Sequence, residues 1–159
     1  MIILGIDPGT KTTGYGVVER GGRGLLHRAH GDISMKRGQS VSACLKQIYE
    51  QLIEIMKEYE PDAVALEDVF YGKNVKSLVK LAQARGVIIL AASNSDIPLY
   101  EYTPLEVKKA VVGYGKAEKS QVQHMVRAIL VLRETPPPDA SDALAIAICH
   151  ANSSKEVSV

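Results

Sequence analysis

The sequence predicts an α/β fold: a five-stranded mixed sheet, three antiparallel strands and then two parallel ones, with helices on both faces. Three features carry that expectation. Positions 1–33 hold three short runs rich in apolar and β-branched residues, separated by turn residues, which read as an antiparallel meander. A long stretch of period 3.6 then leads into a fourth apolar run, and a strand–helix–strand connection sets that strand parallel to the first. Further helical patterns enclose a fifth short run at positions 98–102.

The first run, Met1-Ile2-Ile3-Leu4-Gly5-Ile6, is too short for a helix and apolar throughout, so it reads as a strand buried on both faces. Asp7 stands at its end, just before the chain turns at Pro8-Gly9. Pro restricts φ and Gly accepts either sign, which puts this carboxylate on a rigid platform at the sheet rim. By itself Asp7 is equally well explained as a turn residue bonding the amides of Gly9 or Thr10. Thr12–Glu19 and Leu25–Ile33 complete the meander. From Ser40 to Tyr59, Val41, Leu45, Ile48, Leu52, Ile55, Met56 and Tyr59 fall on one side of a long amphipathic helix, which Pro61 ends. Ala63–Leu66 is the fourth strand, and Glu67-Asp68 follows it as Asp7 follows the first.

Asn74–Asn94 reads as a second helix, polar at first and almost wholly apolar from Val87 to Ala92. A helix apolar on nearly all sides is covered on all sides, and a second copy of the chain is the simplest cover. Pro98–Tyr102 is the fifth strand. Thr103-Pro104 opens a short helix that Gly113 and Gly115 break. The loop from Val112 to Lys119 pairs glycines with Lys116 and Lys119, so that backbone and cation can approach a phosphate together. It leads into a helix whose buried stripe is Val122, Met125, Val126, Ile129 and Leu130. Pro136-Pro137-Pro138 delivers a stiff extended segment to a last, apolar helix beginning at Asp139 or just after.

The chain has 159 residues, 46% hydrophobic and 23% charged, which suits one domain, placed here at 1–152, with a polar tail at 153–159. Cys44 and Cys149 fall in helical apolar patterns without metal spacing, as reduced core residues of a cytoplasmic protein do. No basic leader precedes the first apolar run, and no apolar run approaches the ~20 residues of a membrane span. Net charge is only +1, yet Tyr71–Arg133 holds ten basic residues against four acidic ones. A surplus of that kind suits a polyanion-binding face.

The acids decide the chemistry. Glu67 emerges at the same rim as Asp7, because the two strands are parallel neighbours. Asp139 and Asp142 are three apart, on one face of a helix that must dock on the sheet near Asp7. Four carboxylates in one partly buried place repel each other, so protons or divalent cations must sit among them. Oxygen ligands select hard cations, Mg²⁺ or Mn²⁺. His27, His30, His124 and His150 are scattered and read as surface or capping histidines, not as a zinc set. Two Mg²⁺ ions about 3.5 to 4 Å apart suit in-line displacement at a phosphate, which makes phosphodiester hydrolysis the expected reaction.

The order of elements resembles the ribonuclease H-like fold. The segments GIDPGTKTTGYGVV, ALEDVFYGKNVKSLVKLAQARGV, VVGYGKAEKSQVQHMV and PPPDASDALAIAICH resemble those of the RuvC family of bacterial Holliday junction resolvases, in order from Ile3 to about His150. That resemblance implies a crossover junction endodeoxyribonuclease of recombination and repair, which nicks two strands of like polarity symmetrically. It implies that Asp7, Glu67, Asp139 and Asp142 are the catalytic, metal-binding acids; the third varies between Asp and His in the family. It implies that Phe70 stacks against unpaired bases at the crossover and that Lys108 and Lys119 contact the DNA backbone. Lys116 joins them on charge alone. The implied partners are a four-way DNA junction, a second copy in a homodimer, and the branch-migration proteins RuvA and RuvB. Two other classes are weighed. A sugar-kinase-like phosphotransferase shares the Asp-Pro-Gly-Thr turn but needs a second domain for which the chain has no room. A YqgF-like relative acting on RNA lacks counterparts of Phe70 and of the Val112–Lys119 loop.

Overall fold

The computed structural model describes residues 1–68 and 74–153. The elements in them are β1 (Ile2–Asp7), β2 (Thr12–Gly21), β3 (Gly24–Ser34), α1 (Val41–Tyr59), β4 (Ala63–Glu67), α2 (Val75–Asn94), β5 (Leu99–Tyr102), α3 (Pro104–Val112), α4 (Lys119–Ile129) and α5 (Pro138–Ala151). The strands make one sheet in the order β3-β2-β1-β4-β5. β1 pairs antiparallel with β2 and parallel with β4, and β4 pairs parallel with β5, as the sequence predicts. Helices cover both faces. α1 and α2 pack on Leu4, Ile6, Val17, Val64 and Leu66, while α3, α4 and α5 pack on Ile3, Val18, Ala65 and Tyr102. Alternate residues of one strand thus feed two separate apolar layers, as a doubly covered sheet requires.

Element ends follow local chemistry. The Ser40 hydroxyl accepts from the Ala43 amide at the start of α1, and Glu60, left-handed at φ 45°, closes that helix one residue before Pro61. Thr103 and Glu106 form a capping box with Pro104 in the first turn of α3. A second box, Glu118 with Gln121, starts α4 at Lys119. Lys119 therefore stands on a helix and not at the end of a flexible loop. Pro138 is already helical, so α5 begins one residue earlier than expected.

The central strand β1 and its neighbour β2 carry glycines where α5 lies across them. A Cβ on Gly14 would come within 2.1 Å of the Asp139 carbonyl oxygen, one on Gly5 within 2.1 Å of the Ala143 carbonyl oxygen, and one on Gly16 within 2.7 Å of the Leu144 side chain. These residues admit the helix; they do not make a turn. The close approach carries Asp139 and Asp142 to the rim where Asp7 ends its strand.

The histidine readings change. His150 is buried, not a surface residue: its Nδ1 shares a 2.7 Å hydrogen bond with the Tyr102 hydroxyl, and burial lowers its pKa. His27 and His30 form a pair on β3, 2.8 Å between Nε2 and Nδ1. Within its own chain α2 leaves Val75, Val79 and Leu90 74, 51 and 52% exposed, so its own domain does not supply the whole cover. Cys149 is buried as expected, whereas Cys44 is only partly so. No helix among the described residues is long and apolar enough to cross a membrane.

Candidate active site

Three elements build the site. β1 ends at Asp7 and β4 at Glu67, on adjacent parallel strands whose register pairs Ile6 with Leu66 one step earlier. α5 supplies Asp139 in its first turn and Asp142 three residues on. One carboxylate oxygen from each of Asp7, Asp139 and Asp142 lies within 4.8 Å of the other two. Glu67 stands outside that tight group but faces it: its charge raises the pKa of Asp7, and that of Asp142 raises the pKa of Glu67. Four acids named from the sequence therefore share one locus.

The electrostatics are those of a site built for a cation. Burial first, then the charges of Glu67, Asp142 and Asp139 in that order, lift the Asp7 pKa from 3.8 to about 8, against a smaller pull from Lys119. Glu67 and Asp142 are raised too, burial first. Repulsion of this size in a low-dielectric place has two remedies, a bound proton or a bound cation. The donors are all carboxylate oxygens, the set that fits Mg²⁺ or Mn²⁺ and not zinc.

Cations of the chain itself sit beside the acids. Lys119, at the start of α4, donates from Nζ to Asp142 Oδ2 at 2.8 Å, and that bond raises the Lys119 pKa. Burial and the Asp142 charge raise the pKa of Glu67, and Lys119 and then Lys108 on α3 offset part of that rise. Glu67, Asp142, Lys108 and Lys119 line one cleft, floored by Val107, Val122 and Ala145. Lys116 remains exposed in the α3–α4 connection and does not line this cleft. Phe70 lies outside the described residues.

Sequence reasoning missed Arg85 and Asp32. Arg85, on α2, donates from Nη1 to the Glu67 carbonyl oxygen at 2.8 Å, pairs with Glu101 of β5, and holds Nη2 3.7 Å from Asp68 Oδ1. It fastens the end of β4. Asp32 on β3 accepts from the Ala140 amide and feels the Asp139 charge, so it steadies the start of α5. The asymmetric charge of the second half of the chain signals a basic face, but only tertiary pairing shows that Arg85 is turned inward.

The model of the family "Crossover junction endodeoxyribonuclease RuvC" matches residues 3–150. The RuvC of Geotalea uraniireducens is 52% identical over 154 residues, which cover 97% of this chain and 90% of that protein. Among solved structures, Thermus thermophilus RuvC in complex with Holliday junction substrate superposes with a TM-score of 0.90 at 35% identity, over 95% of this chain and 93% of that one. The yeast mitochondrial Holliday junction resolvase Ydc2, at 13% identity and a TM-score of 0.68 over 94% of this chain and 77% of that one, shares the fold. A YqgF-like affiliation is not favoured by these matches. On a match running almost end to end, this chain belongs to the RuvC family of crossover junction endodeoxyribonucleases.

Proposed function

We propose that this protein resolves Holliday junctions by hydrolysing phosphodiester bonds, with Asp7, Glu67, Asp139 and Asp142 as its catalytic acids and ligands for two Mg²⁺ ions, or two Mn²⁺ ions in their place. The observation that carries the proposal is the convergence of these acids from β1, β4 and α5, with Asp7 so crowded that its pKa rises to about 8. The relative solved with Holliday junction substrate supports the choice of a four-way junction. When bound, divalent cations neutralise the cluster, lower the pKa of water and offset charge on a phosphate. The chain does the rest. β1 and β4 hold Asp7 and Glu67 rigid, α5 holds the remaining pair, and Arg85 keeps the β4 terminus from drifting. Lys119 keeps a positive charge at the mouth, where an incoming phosphodiester meets it before the acids repel it. Lys108 does the same on the Glu67 side, while Phe70 and Lys116 complete the DNA contacts.

Symmetric nicking of two strands needs two such sites. A homodimer joined along α2 provides them, since Val75, Val79, Ala82, Gly86 and Leu90 form an exposed stripe at helical spacing. RuvA and RuvB are the expected partners in branch migration, and the cytoplasm is the expected place of action. The direct test is incubation with Mg²⁺ and either a four-way junction or a linear duplex of the same sequence. Paired nicks in the junction with the duplex intact are expected. Asp7→Asn should abolish cleavage while preserving junction binding, because it removes a ligand and also a repelling charge. Equal cutting of both DNAs would overturn the proposal.

A further inference from the structure

A second cleft lies apart from the one that Glu67 and Asp142 line. It opens between the β1–β2 turn, the β3–α1 loop and the facing sides of α1 and α2, with a volume of about 610 Å³. Ligand sites fall in that range. Its rim carries Lys11, Lys36, Arg37 and Lys80, all exposed, and none of them forms an ion pair with another described residue. Its floor is apolar, with Leu45, Ile48 and Ala84. Between rim and floor stand two amides, Gln39 and Gln83. Four unpaired cations around an apolar floor match one kind of molecule well, a chain of phosphates bearing flat apolar rings.

The cleft is tethered to the acids on both sides. Gly9, at its lip, follows Asp7 by two residues, so their Cα atoms are no more than about 7 Å apart. Ala84, in its floor, precedes Arg85, whose guanidinium holds the Glu67 carbonyl oxygen. Successive phosphates of a DNA strand recur every ~3.4 Å of duplex axis, so a strand seated at the acids reaches this rim within a few nucleotides.

We propose that this cleft is a second nucleic-acid subsite, which takes an unpaired nucleotide of the junction, its phosphates on Lys11, Lys36, Arg37 and Lys80 and its base on the apolar floor. The subsite rests on the junction-resolving function proposed above and adds a specificity element to it. Gln83, exposed on α2, presents a donor and an acceptor to the edge of that base, so it is positioned to prefer one base over another, while the Gln39 amide accepts from the Lys36 amide, donates to Gln47 Oε1 and holds the rim loop. A fully paired duplex has no free base to offer, and the cleft therefore discriminates junctions from linear DNA.

Cys44 lines the cleft and is partly exposed, whereas Cys149 is buried, so the chain carries its own reporter. The experiment measures the rate at which a maleimide labels Cys44 in the full-length protein, without divalent cation, with and without a saturating four-way junction; anisotropy of a labelled junction confirms binding, and peptide mapping confirms the labelled residue. Protection of Cys44 by tenfold or more is expected from the junction, and little from linear duplex at the same concentration. The double variant Lys36→Ala, Arg37→Ala should bind the junction at least tenfold more weakly, with a salt slope shallower by about two. Its substitutions are at exposed positions, and an unchanged melting temperature shows that it folds. Bound junction with an unprotected Cys44 and an unaltered salt slope overturns the subsite and leaves the nuclease function standing. Absence of any junction binding by the parent protein overturns both.

Discussion

Asp7 shows at the scale of one residue what the site requires. Its pKa is about 8 in the folded chain, against 3.8 for an ordinary aspartate, so between about pH 4 and pH 8 the native state holds a proton that the unfolded chain has released. Stability then falls as pH rises through that window, because the unfolded state binds fewer protons. Glu67 and Asp142 shift in the same direction and steepen the fall. The melting temperature of cation-free protein should therefore drop between pH 5 and pH 8, and Mg²⁺ or Mn²⁺ should restore it most at the alkaline end. Asp7→Asn should melt higher than the parent at pH 8 and lose most of the slope. Calorimetry across that range checks it, and a melting temperature that rises with pH would remove the crowded-acid account. Arg85 is the other decisive residue. Arg85→Met keeps the bulk but strips the bond to Glu67 and the charge facing Glu101, which should cost about 2 kcal/mol in chemical denaturation and raise the Mg²⁺ concentration needed for half-maximal cleavage. Asp7 and Glu67 were legible in the sequence, since each ends an apolar run. Arg85 was not, because its partners lie on β4 and β5 and no local pattern announces them.

At the scale of elements, the placing of α5 decides whether there is a site at all. Its acids reach Asp7 only because β1 and β2 expose bare backbone at Gly5, Gly14 and Gly16. In the sequence Gly14 and Gly16 are only two small residues inside the strand Thr12–Glu19; the clearance they give appears only when helix and sheet are seen together. The short helices were legible for the opposite reason, since Thr103-Pro104 and the run of prolines before Asp139 are local signals. Gly14→Ala sets a methyl 2.1 Å from the Asp139 carbonyl, and the helix start must move away. A loss of about 1–3 kcal/mol is expected, as in other overpacked cores, together with a fall in cleavage larger than the fall in folded fraction. Gly22→Ala is the control, because a Cβ there meets nothing within 4 Å. Denaturation and junction cleavage measured side by side for the two variants separate a displaced helix from a generic glycine effect.

At the scale of the molecule, α2 sets one question that its own chain does not answer. Gly86 sits inside this twenty-residue helix, where glycine costs about 1 kcal/mol relative to alanine, and a Cβ there would meet nothing within 4 Å. No contact among the described residues requires it. It lies between Ala82 and Leu90 on the exposed stripe, and small residues on such a stripe let another backbone approach closely. The apolar character of Val87–Ala92 marked this helix in the sequence, but the burial of Ile88, Ala91 and Ala92 against α1 and the sheet accounts for only part of it. Gly86→Leu should leave the isolated fold intact or slightly stabler, since leucine is the better helix former, while obstructing the facing copy. Leu90→Glu should act through charge at the same face. Light scattering on each variant is expected to give a monomer where the parent gives a dimer, with helical content unchanged by circular dichroism. Junction cleavage should shift from paired, near-simultaneous nicks to single ones. A parent that is itself monomeric at micromolar concentration would place the second active site elsewhere than across α2.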